Sequence, residues 1–185
     1  GLHAQQLSQR RDRVKMTKNR PDDSGRSIQW RMSRLILQMF IPVLAILVFF
    51  VLMLVVHNYQ YAVVNGNIID ASGFNQNFKD DIDLMMYQYV SGSGDTLPWE
   101  EIRTAQRLAE RLQARTENAD SRKAIANVLR LCDNLETSIR RIEQTQRYDQ
   151  RMEQLEANVY VITELIEDHI YTYLYYEAGE MARLQ

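Results

Sequence analysis

Residues 35–56, LILQMFIPVLAILVFFVLMLVV, form an unbroken apolar run with no formal charge. Seventeen of these 22 residues are Leu, Ile, Val or Phe, so a helix built from them has no polar face. A helix on the surface of a soluble domain keeps one. At 1.5 Å per residue the run measures about 33 Å, which matches a hydrocarbon core of about 30 Å. A secretory signal has a shorter apolar core, roughly 7–15 residues, followed by a small-residue cleavage site. The sequence HNYQYAVV after the run offers no such site. A membrane anchor is therefore expected over residues 30–56. Trp30 at its start, and Tyr59 and Tyr61 after it, sit where interfacial aromatics belong.

Charge sets the expected orientation. Residues 1–34 hold nine Lys/Arg against three Asp, a balance of +6. Residues 57–185 hold 13 Lys/Arg against 21 Asp/Glu, a balance of −8, and together these give the net −2 of the chain. Lys79 is the only cation in the 40 residues after the run. The positive-inside rule then places the N-terminus in the cytoplasm and the chain beyond about residue 57 outside. No basic surface remains there for nucleic acid, and that class of partner is set aside. Cys132 is the only cysteine, so the exported part must hold by packing without an internal disulfide. No Asn-x-Ser/Thr site occurs, in keeping with a bacterial cell membrane. Residues 1–29 are polar and lack an apolar period, which predicts a disordered basic tail. Met16 is the expected native start, so residues 1–15 are read as a non-native addition.

The exported residues 57–185 read as helices. Phe74, Phe78, Ile82, Met85 and Tyr89 recur at steps of four, four, three and four, a helical stripe. SGSGD at 91–95 ends it. Thr96, Pro98 and Glu100 then supply a capping hydroxyl, a first-turn proline and a carboxylate at the positive helix end. The second helix runs to about Arg115 on Ile102, Ala105, Leu108, Ala109 and Leu112, and TENADS at 116–121 is a polar turn. In the third, Ile125, Val128, Cys132, Leu135, Ile139 and Ile142 form a heptad seam. After a break near Thr145 to Arg147, the fourth continues on Tyr148, Met152, Leu155, Val159, Ile162, Ile166, His169, Tyr173 and Tyr176.

Four such helices predict an all-α fold: one transmembrane helix continuing into an up-down-up-down four-helix bundle. The first and fourth helices are longer than the hairpin between them, about 50 Å at 1.5 Å per residue, and should form a stalk. The fourth points back toward the bilayer, so a second membrane span is expected after Gln185.

The anchor, NIIDASGFNQNFKDDIDLMMYQYVSG at 67–92 and NLETSIRRIEQTQRYDQRMEQLEANVYVITELIEDHIYTYLYYEAGEM at 134–181 resemble the N-terminal sensor region of YesM-type bacterial two-component sensor histidine kinases. The resemblance covers residues 28–185 and rests on helix spacing and the tyrosine-rich last helix. It implies signal sensing outside the cell, with transmission through stalk helices to a cytoplasmic kinase. That kinase region would comprise a HAMP linker, a phospho-accepting histidine domain and an ATP-binding domain. The present chain holds no phospho-acceptor motif and no phosphate loop, so no enzymatic activity and no cofactor are expected of it. The implied partners are the lipid bilayer, a second copy of the chain, and an extracellular ligand such as a small solute or carbohydrate. A response regulator would act only through the kinase region. Two alternatives share this layout: a methyl-accepting chemoreceptor, and a single-span structural or interaction stalk.

No catalytic or metal-binding constellation stands out. Asp80, Asp81 and Asp83 spread round more than half a helix and do not converge, and His3, His57 and His169 lack metal-ligand spacing. The candidate site is a polar layer. Counting from the helix ends puts Asn67, Asp70 and His169 at one level. Such a layer can bind a ligand, sense pH, or let two helices slip. Its plainer role is a satisfied core layer that fixes register. Tyr173 and Tyr176, with Tyr171 and Tyr175, are read as membrane-interface aromatics rather than a carbohydrate-stacking surface.

Overall fold

A computed structural model describes residues 1–17 and 23–185. It is all-helical, with no strand among the described residues. The chain divides into two units, Gly1–Leu54 and Val55–Gln185.

In the first unit, α1 spans Leu2–Thr17, and α2 spans Asp23–Asn75 and so continues into the second. The expected disorder of residues 1–29 is corrected here, because both flanks of residues 18–22 are helical. Residues 18–22 themselves, with the tail cations Lys18 and Arg20, lie outside the described residues. The cause is local propensity: α1 is built of Leu, Ala, Gln, Arg and Met with no internal Gly or Pro. It carries no apolar stripe, and Leu2 and Leu7 are both exposed. In α2, every side chain of residues 35–56 is exposed. Among the described residues, one helix is long and apolar enough to cross a membrane, and it contains this run.

The second unit holds the core. After Asn75 the chain turns at 76–77 and resumes as α3, Phe78–Ser91. Gly92 closes α3 at φ +82°, a left-handed conformation that favours glycine, and the Ser93 amide donates to the Gln88 carbonyl at 2.9 Å. Helix α4 spans Trp99–Arg115 and α5 spans Ala119–Gln144. Thr96 does not cap α4, because Pro98 occupies the cap position and no side chain caps it. The break at 145–147 falls where the sequence pattern puts it. Helix α6, Tyr148–Gln154, then leads through a π-helical turn at Leu155–Val159 into α7, Tyr160–Leu184.

Helix α5 packs against both α4 and α7, and α3 packs against α7. The seams read from α4 and α5 are buried throughout: Ile102, Ala105, Leu108, Ala109 and Leu112 against Ile125, Val128, Cys132, Leu135, Ile139 and Ile142. Burial raises the Cys132 thiol to about 12, helped by the neighbouring Asp133 charge, so the thiol is an inert packing group. Two stripes differ from expectation. In α3, Met86 and Val90 are buried in place of Met85 and Tyr89. In α7 the buried line is Leu155, Val159, Thr163, Ile166, Ile170, Tyr173 and Glu177. Ile162, His169 and Tyr176 lie beside it, only partly buried. A π turn takes up one extra residue, and the two four-residue steps 155–159–163 move the line off strict heptad spacing.

Candidate functional site

Three segments of the second unit converge on one cavity of about 620 Å³: residues 59–67 of α2, residues 114–118 at the end of α4, and residues 177–184 of α7. Its walls mix apolar groups such as Val63 with the polar groups of Asn67, Thr116, Asn118, Glu177 and Glu180.

Local structure fixes most of the polar side chains. Thr116 ends α4 and is buried; its Oγ1 donates back to the Leu112 carbonyl at 2.6 Å. With that hydrogen committed, the Tyr173 hydroxyl is the donor in the 3.0 Å contact between the two side chains. Burial pushes the Tyr173 pKa up; the Thr116 bond opposes this, and the charges of Glu177 and Asp70 add to it. The phenol therefore stays neutral. Asn118 caps α5, its side-chain oxygen accepting from the Ser121 amide at 3.0 Å. The amide end of the same side chain reaches α7 and donates to Glu180 Oε1 at 2.8 Å. Arg183 donates to the other Glu180 oxygen at 2.8 Å. These contacts hold the Glu180 carboxyl below its usual range, the Asn118 bond first, with partial burial opposing and Arg183 adding.

Two groups are left without such support. Glu177 is 1% exposed, and its pKa is raised by burial. The Ser121 hydroxyl faces it and lowers the pKa in part, while the Glu180 charge raises it further. Ser121 nevertheless closes no hydrogen bond of normal geometry. Asn67 is also 1% exposed, and its Nδ2 has no hydrogen-bond partner. A buried donor without a partner costs about 1–3 kcal/mol, and a buried carboxylate without a counter-charge costs more.

The expected trio is not brought together. Asn67 lines the cavity. Asp70 lines a different groove, with Phe74, Thr104, Arg107, Leu108 and Arg111. His169 is off the buried line, and its Nδ1 is 2.7 Å from the Leu165 carbonyl of its own helix. Of the residues that share the cavity with Asn67, Thr116 and Asn118 fall in the stretch that the sequence pattern marks as a polar turn, and Glu177 and Glu180 lie off the predicted seam. Stepping four residues on from Tyr173 would have reached Glu177.

The interface aromatics also divide. Trp30 is exposed, with the Arg34 guanidinium 5.3 Å from its ring centre, and Tyr59 is exposed. Tyr61 and Tyr176 are half-buried. Tyr173 is corrected: it is fully buried, with its hydroxyl on Thr116, and is a core residue rather than an interfacial one.

A second polar cluster lies at Lys79, Asp83 and Thr163. Lys79 meets Asp83 at 2.6 Å, and the buried Thr163 hydroxyl donates to Asp83 at 2.7 Å. This cluster is internally satisfied and ties α3 to α7. Among the described residues, no group of three or more His, Cys, Asp or Glu side chains is placed to hold a metal ion.

Compared with protein-family models, curated proteins and solved structures, the chain matches none.

Proposed function

We propose that the chain is the membrane-anchored sensing segment of a bacterial two-component sensor histidine kinase. In this reading the exposed apolar run of α2 is the membrane span, the basic N-terminal stretch is cytoplasmic, and the second unit is extracytoplasmic. That unit is an up-down-up-down four-helix bundle in which α2 with α3 forms the first helix and α6 with α7 the last. A signal outside biases a two-state arrangement of α2 against α7 and is passed inward to a kinase encoded beyond Gln185. A second copy of the chain and a response regulator complete the pathway.

The observation that carries this reading is the incompletely satisfied polar cavity. It is lined by α2 just after its apolar run and by the last turns of α7. A passive spacer has no use for a buried carboxyl without a cationic partner and a buried amide donor without an acceptor, since both weaken the fold. A receptor does, because ligand contacts made there differ between two helix arrangements. The kinase output rests on the sequence resemblance.

Sequencing the gene past the Gln185 codon tests the proposal. A second apolar run followed by a HAMP-like helix pair and a histidine kinase core is the expected result. A long heptad array with methylatable glutamates would assign a chemoreceptor instead. A prompt stop codon would leave a single-span structural or interaction stalk.

A further inference from the structure

We infer that the cavity between α2, the end of α4 and α7 binds a small organic ammonium compound that also carries an uncharged oxygen acceptor, the chemistry of an amino alcohol. The inference rests on the sensing role proposed above and gives it a ligand class.

The argument begins with charge. The ionisable groups lining the cavity, besides Tyr59, are Arg115, Glu117, Glu177, Glu180 and Arg183, a net of −1. Glu180 and Arg183 neutralise each other through a direct ion pair. Arg115 and Glu117, also lining the cavity, are exposed, and their opposite charges sum to zero. The uncompensated charge is therefore that of Glu177. It is 1% exposed, and its polar neighbours are the Ser121 hydroxyl and the Glu180 charge, neither of them a cation. A buried carboxylate in this state is stabilised most by a cationic hydrogen-bond donor. An anion is repelled there.

The second observation is independent of charge. Asn67 lines the same cavity from α2, and its buried Nδ2 is a donor without an acceptor. A bare cation would leave it unpaired. A ligand with an ammonium and a neighbouring oxygen satisfies both groups, the ammonium donating to Glu177 and the oxygen accepting from Asn67. The cavity, about 620 Å³, falls inside the range of roughly 300–1,000 Å³ usual for small-molecule sites. Glu180 and Asn118 are already committed to each other and act as the frame that holds the α7 wall against the start of α5.

Isothermal titration of the full chain in detergent, with ethanolamine as probe and ethylene glycol as its uncharged counterpart, tests the inference. Saturable binding of ethanolamine and none of ethylene glycol is expected. Glu177→Gln should weaken ethanolamine binding by about tenfold or more, and Asn67→Ala should weaken it as well. Circular dichroism of both variants establishes that they remain folded. Equal binding of the two probes, no saturable binding of ethanolamine, or undiminished binding by folded Glu177→Gln would each overturn the inference. These results are separable from the proposed function. Ethanolamine binding followed by a stop codon soon after Gln185 would keep the site and remove the kinase, and a kinase gene with no ethanolamine binding would do the reverse.

Discussion

Asn118 shows how much one side chain decides at the residue scale. Its oxygen caps α5, and its amide holds Glu180 of α7. Asn118→Ala removes both contacts. Loss of a cap costs about 0.5–2 kcal/mol, so a drop of that size in chemical-denaturation stability is expected, with the carboxyl of Glu180 returning toward its usual pKa. Tyr173→Phe is milder. Thr116 keeps its bond to Leu112 after the change, so only one net hydrogen bond is lost, about 1 kcal/mol. Glu177 predicts a pH dependence of stability. Its folded pKa lies above the ordinary carboxyl value. Its stabilising contribution is therefore fully present at pH below that ordinary value, and is lost as pH rises through the raised one. Glu180, with a lowered pKa, acts in the opposite sense and in a lower window: its contribution is present above the ordinary carboxyl value and lost as pH falls through its folded pKa. Unfolding midpoints measured from acid to neutral pH should show the Glu177 loss in the wild type and its absence in Glu177→Gln. The variant should be the more stable of the two at neutral pH without ligand. Equal midpoints for both proteins across the range would show that Glu177 is not held in an unfavourable charged state.

Among the elements, the seams of α4 and α5 were legible in the sequence because both are regular α-helices with strict three- and four-residue steps. Ile102 to Leu112 and Ile125 to Ile142 follow directly from period 3.6. Helix α7 was legible only in part. Leu155, Val159, Ile166 and Tyr173 fall on the predicted line, whereas Thr163, Ile170 and Glu177 replace Ile162, His169 and Tyr176. A π turn leaves no mark in the composition of LEANV, so the shift it introduces could not be read in advance. The same one-residue difference hid the site, because it removed His169 from the core and put Glu177 there. The π turn behaves as an absorbed single-residue insertion. Deleting the exposed Ala157 within it should return the turn to α geometry and leave both flanking seams in place. Deleting the exposed Ala126 within α5 should rotate the following seam by about 100° and destroy packing. Comparing the two deletions by thermal unfolding checks this: a cooperative transition should survive the first and vanish in the second. At the centre of α5, Leu135→Ala should cost about 2–5 kcal/mol, since the side chain is fully buried.

For the whole molecule, the apolar run and the charge asymmetry on its two sides set every larger conclusion. An exposed helix surface made of Leu, Ile, Val and Phe over residues 35–56 is unfavourable in water and favourable in lipid. The account requires opposite ends of the chain to face opposite sides of the bilayer. Labelling variants that each add one cysteine beside Cys132, in intact and permeabilised bacterial cells, with a membrane-impermeant maleimide measures this directly. Ser27 and Ser93 are both exposed and suit the purpose. Cys132 contributes no background, being fully buried with its thiol raised to about 12. The account predicts that Ser93→Cys labels in intact cells and that Ser27→Cys labels only after permeabilisation. Labelling of Ser27→Cys in intact cells, or protection of Ser93→Cys until permeabilisation, would contradict it.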